Sequence, residues 1–113
     1  MKNNTVTLRG NVGAEAVLRE MGENKKVLSF SLATNERFKD ASGEWKQNTQ
    51  WHRVNIWGGQ AEKLAPVIEK GAEVIVEGRI NTRQYTDKEG NSRTAIEIIA
   101  SDVIRTIRKP SVA

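Results

Sequence analysis

Thr49-Gln50-Trp51-His52-Arg53-Val54-Asn55-Ile56-Trp57-Gly58-Gly59, followed by Gln60 to Lys70, is the stretch on which the fold turns. Its first nine residues alternate between two faces, as a strand requires. Val54 and Ile56, with His52, point toward an apolar core; Trp51, Arg53, Asn55 and Trp57 point the other way. Gly58-Gly59 ends that pattern, and the spacing of Ala61, Leu64, Val67 and Ile68 changes to that of a helix with an inward stripe. Pro66 either kinks this segment or marks the first turn of a shorter helix. Gly71 is the expected C-cap.

Outward from this strand–helix junction the chain reads almost entirely as strands. Thr5 to Val12 alternates apolar and polar residues. Lys26 to Phe38 is a long second strand with Leu28, Phe30 and Leu32 on one face. Between them, Ala14 to Lys25 is either a helical turn or a wide loop, and Gly22-Glu23-Asn24 favours a turn into the second strand. Asp40-Ala41-Ser42-Gly43 is a turn before the Trp51 strand. After the helix, Glu73 to Thr86 is a strand, Asp87 to Asn91 a turn, and Arg93 to Ile107 the return strand. The arms of that last hairpin are long, so its tip should project beyond the body of the domain.

Three strands, one helix and two strands predict an all-β fold, a five-stranded Greek-key barrel of the OB type. The helix lies between strands three and four, and the long hairpin joins strands four and five. A ferredoxin-like sheet needs a second helix, for which Ala14 to Lys25 is a weak candidate. Residues 1–107 form the domain, and the basic 108–113 segment is a short frayed tail.

Composition agrees with one soluble domain. The 113 residues are 37% hydrophobic and 28% charged, and no run approaches the ~20 apolar residues of a membrane span. Met1-Lys2-Asn3-Asn4-Thr5 lacks the apolar core of a signal peptide, and the chain has no Cys, so the expected location is cytoplasmic. The net charge of +4 and pI near 9.6 lean only mildly toward a polyanionic partner, because 18 basic residues coexist with 14 acidic ones. Placement has to carry the functional argument.

For one Trp taken alone, a core or interface position is the ordinary reading. Two on the same face as Arg53 reverse that preference and suit a surface that stacks bases and neutralises phosphates. The fourth predicted strand repeats the pattern, with Glu77, Arg79, Asn81, Arg83 and Tyr85 sharing a face. By itself that set reads as a salt-bridged solvent face; beside Trp51, Arg53 and Trp57 it reads as more of the same binding surface. Phe38 either plugs the barrel's end or adds a stacking platform. Trp45, in the polar loop Gly43-Glu44-Trp45-Lys46-Gln47, either packs back on the domain or touches a ligand.

His52, the only histidine, has no nucleophile or orienting carboxylate beside it in sequence, so a buried or interface role is expected. One imidazole does not make a metal site. Gly10-Asn11-Val12-Gly13 matches a G-x-x-G nucleic-acid loop, but such a loop joins two helices and this one ends a strand. There is no phosphate-binding G-x-x-x-x-G-K-[ST] motif and no acidic spacing for a metal. No catalytic residue, metal or cofactor is expected, and the chain does not read as an enzyme.

The segments Leu8 to Gly13, Ser31-Leu32-Ala33-Thr34, Thr49 to Val54, Lys70-Gly71 and Val76 to Asp87 together resemble the bacterial single-stranded DNA-binding protein family over roughly Val6 to Val103. That resemblance implies an OB-fold domain that binds single-stranded DNA without strong sequence preference, as a homotetramer serving replication, recombination and repair near the nucleoid. It places stacking aromatics at Phe38, Trp51, Trp57 and Tyr85, phosphate-contacting arginines at Arg53 and Arg83, and His52 at a subunit interface. Arg79 joins the DNA-binding set from its strand position. The family also implies a tail with an acidic, hydrophobic tip that recruits other enzymes; here Arg108-Lys109-Pro110 is basic, so either that recruiting function is lacking or the sequence is cut short of the tip. A primosome-type dimeric OB assembly protein is the alternative, and an OB module making only protein contacts is a third reading.

Overall fold

The computed structural model describes residues 3–14, 16–23 and 25–106. Six strands and one helix follow in the order β1 (Val6–Val12), β2 (Val17–Glu20), β3 (Lys26–Lys39), β4 (Trp45–Trp57), α1 (Gly59–Leu64), β5 (Glu73–Thr86) and β6 (Ser92–Arg105). The predicted strands one to five are β1, β3, β4, β5 and β6. The expected tail at 108–113 lies outside the described residues, as does Ile107.

The sheet order β1-β5-β6-β4-β3-β2, with β1 also paired to β3, closes five strands into a barrel and leaves β2 as an added edge. Two antiparallel sets, β1-β5-β6 and β2-β3-β4, meet along two short seams. One is parallel, through Val54↔Ile98 and Asn55↔Ile99; the other is antiparallel, through Asn11↔Ala33 and Val12↔Leu32. Close approach at the second seam depends on Gly10, where a Cβ would stand 2.2 Å from the Ala33 carbonyl oxygen.

The interior follows from the alternation. Leu28, Phe30 and Leu32 of β3, Val54 and Ile56 of β4, Val74 and Val76 of β5, and Ile98 and Val103 of β6 are buried together with Ala61 and Ile68. Burying a side chain of this size contributes roughly 1.5–3 kcal/mol, and this shared interior holds the two strand sets together.

Four local expectations change. Val17–Glu20 is neither a helical turn nor a loop but a short strand paired with Lys26–Ser29 of β3; with every residue exposed it has no buried alternation to betray it. The helix stops at Leu64, well before Lys70, because Pro66 has no N–H to donate to Glu62. A final turn follows, with Val67 and Ile68 donating to the Leu64 carbonyl at 2.9 and 3.1 Å, so the inward stripe survives although the helix does not. Gly71 has φ +85° but is no helix cap, since the cap is Ala65; it turns the chain into β5 and donates to the Val12 carbonyl at 2.7 Å. Trp45 belongs to no loop: it opens β4, opposite Lys39.

The two long hairpins turn the same way. In β3–β4, Asp40 Oδ1 accepts from the N–H groups of Ser42 (3.0 Å) and Glu44 (2.9 Å), and Gly43 takes φ +85°. In β5–β6, Asp87 Oδ1 accepts from the N–H groups of Glu89 (3.0 Å) and Asn91 (2.9 Å), and Gly90 takes φ +85°. The spacing Asp-x-x-Gly is therefore one structural instruction used twice, an Asp bonding the backbone ahead of it and a Gly supplying the left-handed residue. Because β4 and β6 are parallel where they meet, both tips project from the same end of the barrel.

Candidate nucleic-acid interface

β4 is long enough to serve two purposes. Its even-numbered residues Val54 and Ile56 fill the barrel, and its odd-numbered residues face outward. Trp51 is 63% exposed and Trp57 46%, and Arg53 between them is also exposed. Large aromatic area left in water contributes nothing to the core, so these rings are available to a partner. Trp51 is not loosely held. Gly13, just past β1, lies under the ring so closely that a Cβ there would come within 2.2 Å of Trp51 Cζ3. The absent side chain is what lets the indole approach the end of β1.

β5 presents Arg79, Arg83 and Tyr85 on its own outward face, all exposed, with the Arg83 guanidinium 5.8 Å from the centre of the Tyr85 ring. This set does not adjoin the tryptophans directly. β6 runs between β5 and β4, so the two groups flank it. Phe38, 48% exposed, stands on the opposite face of the β3–β4 hairpin from Trp51, at an even-numbered position opposite Lys46. Six of the seven predicted DNA-binding residues, Trp51, Arg53, Trp57, Arg79, Arg83 and Tyr85, thus share the outward surface, and Phe38 sits on the other side of the same arm.

Where the hairpins diverge, the surface rests on a buried carboxylate. Glu97 of β6 is 6% exposed. Its Oε2 accepts from Asn55 Nδ2 at 2.8 Å, and its Oε1 accepts from Asn81 Nδ2 at 3.2 Å and faces Arg83 Nε at 3.6 Å. Asn55 is completed by the Ser29 hydroxyl, which donates to its Oδ1 at 2.7 Å. The chain Ser29–Asn55–Glu97–Asn81/Arg83 crosses β3, β4, β6 and β5 in turn. A buried charge survives when paired and hydrogen-bonded, as this one is. Asn55, expected on the exposed face, is therefore buried at 7%. Sequence reading did not find Glu97, because Thr94-Ala95-Ile96-Glu97-Ile98 looks like ordinary alternation with a solvated Glu. Nor did it give Gly13 a use, since only strand pairing brings that glycine to Trp51.

His52 is half-buried, and its Nε2 lies 2.8 Å from the Thr34 hydroxyl across the hairpin. Among the described residues no group of three or more His, Cys, Asp or Glu side chains could hold a metal ion, and no helix is long and apolar enough to cross a membrane.

The sequence model of the Single-strand binding protein family matches residues 3–106. Single-stranded DNA-binding protein 1 of Chlorobaculum tepidum is 40% identical over 101 residues, covering 88% of this chain. The mitochondrial single-stranded DNA-binding protein of Drosophila melanogaster is 39% identical over 102 residues, covering 89% of this chain and 69% of its own length. The chain spans 62% of the length of the Chlorobaculum protein. Among solved structures, the Plasmodium falciparum SSB complex with ssDNA superposes with a TM-score of 0.86 at 32% identity, covering 95% of this chain and 97% of that one. A deletion mutant of the single-stranded DNA binding protein from Thermus aquaticus gives a TM-score of 0.82 at 31% identity, covering 92% of this chain and 50% of that one.

Proposed function

The chain belongs to the single-strand binding protein family, and from that membership we propose that it binds single-stranded DNA without reading its sequence. The observation that carries the reading is the outward face of β4, where Trp51 and Trp57 stand exposed on either side of Arg53. Bases stack on the rings, and Arg53, Arg79 and Arg83 neutralise the adjoining phosphates. Every base has a π-face, so stacking is tolerant of sequence. Tyr85 adds a platform on the β5 side of β6, and Phe38 one on the far face of the β3–β4 arm. A single OB fold of this kind covers ~4–16 nucleotides.

Glu97 has a positioning part in this scheme. It holds the Arg83 side chain from beneath while leaving that side chain more than half exposed, so the cation meets a phosphate already oriented. We further propose that the protein works as a homotetramer in the cytoplasm, with His52 at a subunit interface, and that it protects single strands during replication, recombination and repair. Exposed Ile80 and Ile96 on the β5–β6 arm and Ile104 near the end of β6 are apolar surface that assembly would cover.

The test is a titration of intrinsic tryptophan fluorescence with poly-dT at low and then high salt. Stacking predicts deep quenching that saturates at a fixed nucleotide-to-protein ratio, with affinity falling steeply as added salt makes the release of the strand's counterions less favourable. A flat signal under both conditions would assign the aromatic face to a protein partner instead. Mass in solution then separates a tetramer from a dimer.

A further inference from the structure

Trp45 continues the outward face of β4. Positions 45, 51 and 57 have the same parity, and β4 pairs with β3 without a register shift from Val27↔Trp57 to Lys39↔Trp45. All three tryptophans of the chain therefore project from one side of one strand. Trp45 is the most exposed of them at 64%, so it is not packed back on the domain. Two cations of β3 accompany it on that face: the Lys39 ammonium is 5.8 Å and the Arg37 guanidinium 6.0 Å from its ring centre. Of the acidic groups of the arm, Asp40 is engaged elsewhere. Asp40 is bonded into its own turn and lies 3.9 Å from Lys46, and Glu36 sits on the opposite face. Glu44 precedes Trp45 in the turn.

We propose that Trp45, flanked by Arg37 and Lys39, is a further stacking platform that carries single-stranded DNA off the barrel and out along the β3–β4 hairpin. The proposal rests on the function inferred above. An aromatic ring with two cations within 6.0 Å of its centre fits a base with its two neighbouring phosphates, and it is continuous with the surface around Trp51. An apolar protein partner would gain nothing from the two cations. Six residue steps lead from Trp45 to Trp51, which is ~20 Å at the rise of a β-strand, or about six nucleotides at the spacing of a stacked strand. Short oligonucleotides seated on the barrel would not reach it; long ones would.

Length dependence is the test. Trp45→Ala is compared with the unaltered protein on oligo-dT of about five and about thirty nucleotides, with Trp51→Ala as the reference. On the long strand Trp45→Ala should lose about tenfold in affinity, which Trp45→Phe largely restores, and on the short strand it should bind within about twofold of the unaltered protein. Trp51→Ala should lose affinity on both. Each of Arg37→Ala and Lys39→Ala should lower the salt dependence on the long strand by about one released counterion. Unchanged affinity of Trp45→Ala at every length, with Trp51→Ala defective, would overturn this proposal and leave the barrel surface standing. An equal loss at both lengths accompanied by a change in solution mass would make Trp45 an assembly contact and also overturn it. If Trp51→Ala loses nothing either, the function proposed above fails with it.

Discussion

The β3–β4 and β5–β6 hairpins begin from the same turn and end as different tools. Each has an Asp accepting two backbone N–H bonds and a Gly at φ +85°, and each projects from the same end of the barrel. Yet β3–β4 carries all three tryptophans on its outward face, while β5–β6 carries Arg79, Arg83 and Tyr85 over the buried Glu97. One arm is mainly a stacking surface, the other mainly a charged surface anchored from below. Turn chemistry fixes where a hairpin bends; the outward parity of its strands fixes what it can touch.

The largest effect that would break this contrast is on the aromatic arm. Trp51→Ala should weaken binding to oligo-dT by about 1–3 kcal/mol, roughly fivefold to somewhat over a hundredfold, and by more than Tyr85→Ala. Equal losses in a fluorescence or calorimetric titration would dissolve the division of labour.

Next comes the anchor of the charged arm. Glu97→Gln replaces an acceptor-only carboxylate with an amide whose NH2 must face a donor, so it should cost about 1–2 kcal/mol of stability in a urea melt. It should also loosen Arg83 and reduce the salt dependence of binding. Unchanged stability would mean the four-strand network is dispensable.

A smaller effect belongs to the seat of Trp51. Gly13→Ala should push the indole from its resting place and weaken binding severalfold, with thermal stability nearly unchanged because the displaced atoms are the far end of a side chain. A large loss of stability with normal binding would show that Gly13 serves the barrel instead of the ring.

The smallest effect compares the two turns. The Glu44 N–H, then the Ser42 hydroxyl, hold the Asp40 carboxyl below its ordinary 3.8. Asp87 is lowered chiefly by the Arg93 side chain, then by the Asn91 N–H. A carboxyl whose folded pKa is depressed stabilises the fold above its unfolded value, and that contribution disappears as pH falls through the folded value. Acid melts should therefore show both contributions at neutral pH and their loss below 3.8. Added salt should diminish the Asp87 contribution more than the Asp40 one, since an exposed ion pair is screened and a backbone hydrogen bond is not. Identical salt responses of Asp40→Ala and Asp87→Ala would erase the distinction.

Much of this architecture is legible without coordinates because it is local. Alternation in Thr49 to Trp57 and Glu73 to Thr86 places the outward aromatics and arginines, and Asp-x-x-Gly places both turns. What escaped depends on neighbours distant in sequence. Glu97 is buried only because Asn55 and Asn81 reach it from strands on both sides. Gly13 matters only because β4 brings Trp51 over it. β2 exists only as an edge laid along β3, and Trp45 looked like loop because its turn is shorter than its polar surroundings suggest.

The narrowness of the two seams bears on how the chain reaches this state. Hairpins β3–β4 and β5–β6 join strands adjacent in sequence and can zip from their turns, whereas Asn11↔Ala33 and Val54↔Ile98 bring together positions far apart along the chain. Closing such long loops costs chain entropy before any contact returns it, so barrel closure is the natural bottleneck of folding. The speed of that step is then concentrated at a few backbone atoms, and at Gly10 above all, where one methyl group would stand in the way of the strand that completes the ring.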